Sequence, residues 1–591
     1  MIKVKETICL VKNRPVTPWT GRTALKVAWM TVAILLSISG LAVAQILPIN
    51  EIMEEQIRLQ QLMQGSKYSS FTNRPVWMSI YDDYMNEAES GLQSGFWTRP
   101  LNQKRYELGS TIQAGVYQPA IKITSNSDVP YGENNEAAWY GRGLNSEFTA
   151  GIWVTSDYVT ATFRPQFSIH ENRAFETPRF IPQDPLGQQR YVAEGIGDII
   201  DMPYRFGPNS FNTANPGYTS IRLHYDAFEA GYSNEPLQWG PNAKYPLLLS
   251  NNAPGMKHFF LGTRRPFAIP YIGSVELKWI NAFPEDSDYF DQPESYQRER
   301  YMGGINLVYS PSFIRNLHLG FGRIVHTYLE EDGLSRREMG MLFDPFYLNN
   351  FVRKRGNLRD VKPRYHLNSL FGRWVWPESR IEIFAEYYRE DFAWDSRDLL
   401  MEPRHNSGYA LGVIKLVEAP LADFYKLHVE FTNMTPGFIQ EVRPQNYYYT
   451  NEEIRQGHTN RGHLLGAAIG PGSNSQYISI DGYFPSGRAG IFFRRLADNN
   501  HFHYNYDRFL NRPEEFRNGY GDYWRNRTDL TLGGRGLIKL YDFLLTTELS
   551  WTKLFNFGRF DYGKFGGLSV TNFEPYDKTN LQFQLSVTYL F

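Results

Sequence analysis

The final stretch of the chain, LQFQLSVTYLF at positions 581–591, decides the fold. Its odd positions carry Leu, Phe, Leu, Val, Tyr and Phe, and the even positions from 582 to 588 carry Gln, Gln, Ser and Thr. Successive side chains of a β-strand point to opposite faces, so this period of two indicates a strand with one apolar and one polar face. Such a strand fits a β-barrel that has lipid outside and polar groups inside.

The same strand reaches the last residue of the sequence and ends on an aromatic side chain. The edge strand of a soluble sandwich would rarely do so. An apolar closing strand with a terminal aromatic resembles the signal that outer-membrane barrels present to their assembly machinery. We therefore expect Val587, Tyr589 and Phe591 to form an assembly signal for that partner.

Alternation of the same kind recurs from about residue 69 onward, for example in the segments 159–169, 221–227, 275–279 and 425–432. Short turns, such as 155–157, lie between some strand-like segments. Long polar stretches follow others, at 170–218, 281–300, 331–366 and 433–463. Short turns at one end and long loops at the other are typical of a transmembrane antiparallel β-barrel of the outer membrane.

Ionisable residues fall within the strand-like segments, where a lipid-facing position would be energetically costly. We expect these residues to face a wet or plugged lumen. They are His224, Asp226, Glu382, Glu386, Lys426, His428, Glu430, Arg494 and Glu548. The length of the chain is compatible with about 16 to 18 strands.

The composition excludes several other classes of protein. The chain has 591 residues, of which 42% are hydrophobic and 16% aromatic, and its formal net charge is -1. Abundant apolar side chains and balanced charge exclude a disordered chain. A mean hydropathy of -0.45 excludes a helical membrane protein. Because the charge is balanced and no Lys/Arg stripe occurs, nucleic-acid binding is excluded as well.

The amino terminus is typical of an export signal. Among residues 1–26, every charged residue except Glu6 is basic, and residues 27–43 are apolar or small. Ala42 and Ala44 occupy the positions before a cleavage site. We expect a signal peptide over 1–44, and a membrane anchor is the alternative. Its removal would lower Lys plus Arg from 61 to 55 and Asp plus Glu from 62 to 61, for a net charge of -6. It would also remove the single cysteine, Cys9, which excludes disulfides and Cys chemistry and suits a bacterial envelope protein.

Residues 50–64, NEIMEEQIRLQQLMQ, are predicted to form a helix. Asn50 would cap it, glutamates occupy its first turns, and apolar residues recur at roughly helical spacing. We expect this helix either to plug the periplasmic mouth of the barrel or to lie on a surface as an amphipathic segment. The predicted organisation is a periplasmic helical plug segment over 45–66 and an outer-membrane β-barrel over 67–591.

Two segments could carry a binding site. The first is rich in turn formers, with QWGPN at 238–242, SNNAPG at 250–255 and GTRRP at 262–266. Gly, Pro and Asn can simply make sharp turns there. A flat Trp face beside amide side chains also suits a sugar ring and its hydroxyl groups. The candidate carbohydrate-binding residues of this segment are Trp239, Asn251, Asn252 and Arg264.

The second segment, residues 386–405, concentrates carboxylates and arginines. A glycosidase pair is one interpretation. Strand geometry favours another, in which Glu386, Tyr388 and Glu390 share one face and salt bridges brace the lumen. Basic and aromatic side chains there would suit an acidic polymer, and the candidates are Arg389, Trp394 and Arg397.

Enzyme and metal signatures are incomplete. His501 and His503 share one face of a strand but lack a third metal ligand at a convincing spacing. The acidic segment 286–291 lacks the Gly and the terminal Glu of a calcium loop. No Ser lies in a G-x-S-x-G elbow. We therefore predict no catalytic residue, no metal and no cofactor.

Several segments together resemble the capsule assembly Wzi family. They are GRGLN at 141–145, DMPYRFG at 201–207, WGP at 239–241 with LLSNNAPG at 248–255, FGRW at 371–374 with IFAEY at 383–387, and GAAIGPG at 466–472. The resemblance implies an 18-stranded outer-membrane barrel, closed by helices on the periplasmic side, whose cell-surface face binds polysaccharide without being an enzyme. On that basis we expect 18 strands rather than 16. Gln238 and Asn242 depart from the family, where an aromatic or Asn and a Gly are usual.

The sequence therefore predicts a lectin-like, non-enzymatic protein in the outer membrane of a Gram-negative cell. It would bind and organise capsular or extracellular polysaccharide as a monomer, with outer-membrane lipid and the barrel-assembly machinery as further partners. One alternative is a porin-like channel for small solutes. Another is a hydrolase at the barrel mouth, which would lose turnover on substitution of Glu386 or Asp391.

Overall fold

The structure is a computed structural model. It describes residues 45–88, 95–101, 104–176, 200–290, 298–330, 333–343, 364–391, 393, 395–435, 448–498, 527–557 and 577–591. The predicted signal peptide, Trp394, and the pair His501 and His503 lie outside the described residues.

Eighteen antiparallel strands in the described residues form a closed barrel. Their bounds are β1 Ile112–Asn126, β2 Gly143–Thr155, β3 Val159–Phe163 continued by Gln166–His170, β4 Phe211–Asn215 continued by Ser220–Tyr225, β5 Phe228–Ser233, β6 Lys257–Thr263 continued by Phe267–Ile269, β7 Gly273–Phe283, β8 Arg300–Pro311, β9 Leu317–Tyr328, β10 Tyr365–Trp376, β11 Ile381–Glu390, β12 Ser407–Val417, β13 Phe424–Asn433, β14 Asn474–Phe484, β15 Gly487–Ala497, β16 Thr528–Leu540, β17 Phe543–Phe555 and β18 Lys578–Tyr589. The barrel closes because β18 pairs with β1, with Gln582 opposite Asn126 and Thr588 opposite Ala120. The predicted fold and the predicted 18 strands are confirmed.

The two ends of the barrel differ in the length of their connections. Tight turns join β4 to β5, β14 to β15 and β16 to β17, whereas long segments join β3 to β4, β9 to β10 and β13 to β14. We call these ends the short-turn end and the long-loop end. In outer-membrane barrels the short turns are periplasmic and the long loops are extracellular.

The outer wall of the barrel is apolar, as the last strand illustrates. Leu581 and Phe583 are 49% and 43% exposed, whereas Asn580 and Gln582 on the opposite face are almost fully buried. The same alternation of exposed apolar and buried polar residues occurs along β3, where Phe167 and Ile169 are exposed. A continuous apolar wall of this kind requires lipid rather than water around it.

A helical plug occupies the short-turn end. It contains α1 (Ile52–Gln64) and α2 (Met78–Asn86). Trp97, which follows the plug, donates from Nε1 to the carbonyl of Gly487 at 2.9 Å, beside the tight turn between β14 and β15. The sequence predicts α1 but not α2. Among the described residues, no helix has the length and apolar character needed to cross a membrane.

The apolar stripe predicted for α1 is buried, because Ile57, Leu59 and Leu62 pack inside the barrel. The predicted cap is wrong. Glu51 occupies the N-cap position, and Asn50 adopts a left-handed backbone with φ 63°. The Asn50 N–H instead donates to Glu54 Oε2 at 2.7 Å.

Ionic contacts attach the plug to the wall. Glu55 of α1 lies 3.0 Å from Lys426 Nζ of β13 and 2.8 Å from Arg488 Nη1 of β15, and it accepts a hydrogen bond from the Tyr483 hydroxyl of β14. Burial alone would raise the pKa of Glu55, but Arg488, Lys426 and Tyr483 lower it to about 2. On another side of the barrel, the Trp77 ring N–H donates to Glu229 of β5 at 3.0 Å.

A loop from the long-loop end, residues 234–256, folds back into the lumen. Glu430 of β13 accepts the Tyr245 N–H at 2.9 Å, and Glu386 of β11 accepts the Leu247 N–H at 3.2 Å. The Tyr449 hydroxyl of the next lumen loop, residues 448–473, donates to the Leu247 carbonyl at 2.7 Å. These carboxylates satisfy loop N–H groups that would otherwise be buried without partners.

The predicted lumen residues all line the lumen except Asp226. Asp226 lies in the tight turn between β4 and β5, where its exposed carboxylate pairs with Arg265. The alternation places it correctly after Tyr225, but the strand ends one residue earlier, so the residue belongs to the turn.

Shorter elements complete the fold. The short strands are Ile46–Leu47, Asn73–Arg74, Val76–Trp77, Lys104–Leu108, Gln238–Trp239, Thr459–Asn460 and His463–Leu464. The short helices are Arg336–Gly340 and Ser396–Met401, with 3-10 turns at Met341–Phe343 and Pro377–Ser379.

Candidate functional site

Trp239 does not present its ring to a ligand. The side chain is fully buried in the core formed by the lumen loops, and its ring lies against β8 near Gly304. Its backbone N–H donates to the Leu249 carbonyl at 3.1 Å, which closes the loop on itself. The turn-forming residues around Trp239 therefore fold the loop inward rather than outward, and the ring contributes to packing.

Asn251 and Asn252 join the lumen loop to its neighbours. Asn251 Nδ2 donates to the carbonyl of Asn134 at 3.2 Å, and Asn252 Oδ1 accepts the Asn134 N–H at 3.1 Å. Asn252 Nδ2 also donates to the Leu464 carbonyl at 3.2 Å. Their amides therefore hold three loops together, close to Trp239 in the chain.

The predicted arginines are not gathered with that loop. Arg264 lies at the short-turn end, where Nη1 is 2.8 Å from His224 Nδ1 and the guanidinium covers the Trp77 ring at 5.1 Å. Arg389 and Arg397 lie at the long-loop end. Arg389 Nη1 approaches the Pro403 carbonyl at 3.3 Å, and Arg397 is exposed at the start of a short helix.

The predicted carboxylate cluster braces the lumen. Glu386, Tyr388 and Glu390 are all buried on one face of β11, as the alternation predicts. The bracing uses hydrogen bonds rather than the expected mutual salt bridges: Glu386 accepts from Ser369 Oγ at 2.7 Å, and Glu390 accepts from the Tyr388 hydroxyl at 2.5 Å and the Tyr449 N–H at 2.6 Å. Both carboxylates therefore accept hydrogen bonds that hold the lumen loops in place.

An aromatic cluster that the sequence does not predict lies at the long-loop end. Its members are partly exposed, and Phe206 lies at its centre. The Phe206 ring centroid is 5.1 Å from Trp139, 5.1 Å from His463, 5.8 Å from Tyr289 and 6.0 Å from Phe211. We use the term aromatic cluster for these five residues, which come from four different loops and the start of β4.

Two glycines allow the rings to approach one another. Gly207 has φ 70°, and a Cβ there would lie 2.7 Å from the Tyr289 hydroxyl. Gly462 has φ 78°, and a Cβ there would lie 3.1 Å from the Phe206 ring. A side chain at either position would meet both backbone strain and an aromatic neighbour.

Asn172 fixes the loop that carries Phe206. Its Nδ2 lies 3.0 Å from the Phe206 carbonyl, 2.9 Å from the Gly207 carbonyl and 2.9 Å from the Asn209 carbonyl. Arg205 Nε donates back to Asn172 Oδ1 at 3.3 Å. One amide thus organises the backbone beneath the central ring.

Charged groups border the aromatic cluster. Arg461 Nε donates to Glu285 Oε2 at 2.6 Å and its Nη1 donates to Asn215 Oδ1 at 2.9 Å, while Lys257 Nζ lies 2.6 Å from Glu285. Partial burial would raise the pKa of Glu285, but Lys257 and Arg461 lower it. Nearby, burial raises the pKa of Asp201 to about 6, although Ser287 donates to it. The border therefore offers guanidinium, ammonium, amide and carboxylate groups to a ligand.

The cluster has a weak signal in the sequence. Residues 201–207, DMPYRFG, place two aromatics beside an arginine, but Trp139, Tyr289 and His463 are distant from them in the chain. Only the folding of the loops brings these residues together.

The family model described as capsule assembly protein Wzi matches residues 112–501. No curated protein matches the chain in sequence.

Among solved structures, the chain is similar to Wzi from Escherichia coli, described as an outer membrane protein involved in group 1 capsule assembly and as a carbohydrate-binding β-barrel. The TM-score is 0.55 at 11% identity, over 93% of this chain and 100% of that chain. OprD from Pseudomonas aeruginosa has a TM-score of 0.35 at 9% identity, over 80% and 92% of the two chains. OccK2 from the same organism, in complex with glucuronate, has a TM-score of 0.38 at 10% identity, over 83% and 97%.

The family model covers most of the barrel, from β1 to the end of β15. The lipid-facing wall and the family both place the barrel in the outer membrane. The chain belongs to the capsule assembly protein Wzi family.

Proposed function

We propose that this protein binds capsular or extracellular polysaccharide at the long-loop end of its barrel and retains it at the cell surface. The observation that carries the proposal is the partly exposed aromatic cluster around Phe206. The comparison protein Wzi, described as carbohydrate-binding and involved in capsule assembly, supports the same role.

The chemistry of the cluster suits sugar rings. Aromatic faces pack against the apolar face of a pyranose, and neighbouring amide and charged groups bond its hydroxyls. Weak contacts repeated along one polymer, and over many copies of the protein, would add up to firm retention.

The candidate residues predicted from the sequence have different roles in the proposed site. Arg389 and Arg397 lie at the same end as the aromatic cluster and are proposed, with Trp394, as a further contact for an acidic polymer. Asn251 and Asn252 are proposed to support the site, because their amides hold the loops. Trp239 and Arg264 are not proposed as ligands: the first is fully buried and the second lies at the short-turn end.

The proposed mechanism is binding without turnover. Glu386 and Glu390, two carboxylates of the segment for which a glycosidase pair was one interpretation, accept hydrogen bonds from buried loop N–H groups. We also propose that the protein acts as a monomer and that Val587, Tyr589 and Phe591 serve as the signal for the barrel-assembly machinery. The apolar, lipid-facing closing strand supports that second role.

Retention of polymer tests the proposal. Purified surface polysaccharide from the producing cell is passed over the immobilised, detergent-solubilised protein, and the same preparation is placed in a planar lipid bilayer. We expect retention and almost no ion conductance, because the plug and the lumen loops occupy the barrel. Conductance without retention would favour the channel for small solutes.

A further inference from the structure

A chamber of about 560 Å³, with polar and apolar side chains in its lining, lies in the lumen apart from the aromatic cluster. Its floor is the plug, including Glu54 and Glu55 of α1, and its roof includes Asn134 and Asn251 from the loops of the long-loop end. The volume falls within the range of sites that enclose a small molecule. We call this space the lumen chamber.

One wall of the lumen chamber offers many hydroxyl and amide groups beside the charged side chains of Lys122, Glu147 and Glu548. It consists of β17, β18, β1 and β2, which present hydroxyl and amide side chains, among them Thr149, Thr546, Gln584, Ser586 and Thr588. Hydroxyls and amides both donate and accept hydrogen bonds. This wall therefore matches a ligand that carries many hydroxyl groups.

The charged groups of the chamber are largely paired with one another. Glu51 lies 2.5 Å from Arg164 Nη2, and Glu55 lies close to Lys426 and Arg488. Since positive and negative groups neutralise each other across the floor, a ligand of high net charge gains little there. A polyhydroxylated ligand of low net charge fits better.

We infer that the lumen chamber is a second saccharide site, which encloses a short oligosaccharide of low net charge rather than a stretch of intact polymer. The inference rests on the proposed function for the class of ligand, but it assigns that ligand to different residues. The aromatic cluster would hold the long polymer outside, while the chamber would take a short fragment or a chain end inside.

A single introduced thiol tests this inference. The only cysteine of the sequence is Cys9, so the described residues contain none. Ser586→Cys places a thiol in the chamber wall with a minimal change of shape, and Ala419→Cys places one in the exposed turn between β12 and β13 as the matched control. Both variants also carry Cys9→Ser, and the full-length protein in detergent is labelled with a small water-soluble thiol reagent. Labelling rates are compared without additive, with intact surface polysaccharide and with fragments of about two or three sugar units cut from it.

We expect the fragments to slow labelling of Ser586→Cys roughly fivefold at saturating concentration, and intact polymer and Ala419→Cys to show little change. Labelling that is unaffected by every fragment would overturn the inference. So would a complete lack of labelling, because a chamber closed to a small reagent cannot admit a sugar. Failure of the proposed surface function looks different: intact polymer would then not be retained, whatever the behaviour of Ser586→Cys.

Discussion

Arg58 of the plug helix and Glu382 of barrel strand β11 form a buried ion pair, with Nη2 2.5 Å from Oε1 and Nε 3.2 Å from Oε2. Glu382 also accepts hydrogen bonds from Arg373 of β10 at 2.9 and 3.0 Å. One carboxylate thus joins the plug to the wall and balances two guanidinium groups. Its removal would leave positive charge buried without compensation, which is costly.

Glu382→Ala is therefore expected to lower the free energy of unfolding by about 3 kcal/mol or more. Denaturant titration of the detergent-solubilised protein, followed by Trp fluorescence, measures the change. Glu418→Ala is the control, because Glu418 pairs with Arg380 on an exposed surface. An exposed pair should contribute about 0.5 kcal/mol or less. Equal losses for the two variants would contradict the role of the buried pair.

Acid should loosen the plug through Glu55. Arg488, Lys426 and Tyr483 lower the pKa of Glu55 from 4.5 to about 2 in the folded protein. A carboxyl whose folded pKa is depressed stabilises the fold above its ordinary pKa, and this contribution disappears as the pH falls towards the folded value. We expect native protein to lose stability between pH 4.5 and about 2, and Glu55→Gln to lose less across that interval. Identical pH profiles for native protein and Glu55→Gln would be inconsistent with this assignment.

The period of two and the apolar stripe of α1 made most of the architecture predictable. Leu581 and Phe583 face outward and Ile57, Leu59 and Leu62 face inward, because such patterns depend on local geometry and on burial. The aromatic cluster was less predictable. Phe206 contacts Trp139 and Tyr289 only after distant loops fold together, and no local sequence pattern indicates these contacts.

Trp239 was expected to face a sugar ligand but is buried, and this difference has a physical cause as well. Turn-forming residues indicate that a chain bends, but they do not indicate whether the bend points outward to water or inward to a lumen. Here Glu386 and Glu430 of the wall accept hydrogen bonds from the loop and draw it inward. The same inward fold buries the Trp239 ring.

Gly207→Ala is expected to weaken polymer binding. The added Cβ would lie 2.7 Å from the Tyr289 hydroxyl and would displace that ring from the aromatic cluster. Loss of one aromatic contact corresponds to about 1 kcal/mol, or roughly fivefold in the dissociation constant. Gly109→Ala is the matched control, since Gly109 also has a positive φ, 81°, but a Cβ there meets nothing within 4 Å. Equal weakening by both variants would point to general backbone strain instead.

Asn172→Asp tests the support of the Phe206 loop. Aspartate keeps the shape of Asn172 but removes the N–H donor that bonds the carbonyls of Phe206, Gly207 and Asn209. A carboxylate facing carbonyl oxygens is repulsive, so we expect faster proteolysis of this loop and weaker polymer retention. Asn209→Asp introduces the same charge at an exposed side chain and should leave both measurements unchanged. Normal retention by Asn172→Asp would show that the loop does not depend on this amide.

One measurement tests most directly whether the aromatic cluster binds the polymer. It is the fraction of the cell's own surface polysaccharide that immobilised Trp139→Ala protein retains, relative to native protein. Phe313→Ala removes an aromatic side chain that is 78% exposed at the short-turn end and serves as the control. Circular dichroism should first show that all three proteins are folded. We predict saturable retention by native and Phe313→Ala protein and a loss of most of it in Trp139→Ala. Equal retention by all three proteins, or none by the native protein, would contradict this account.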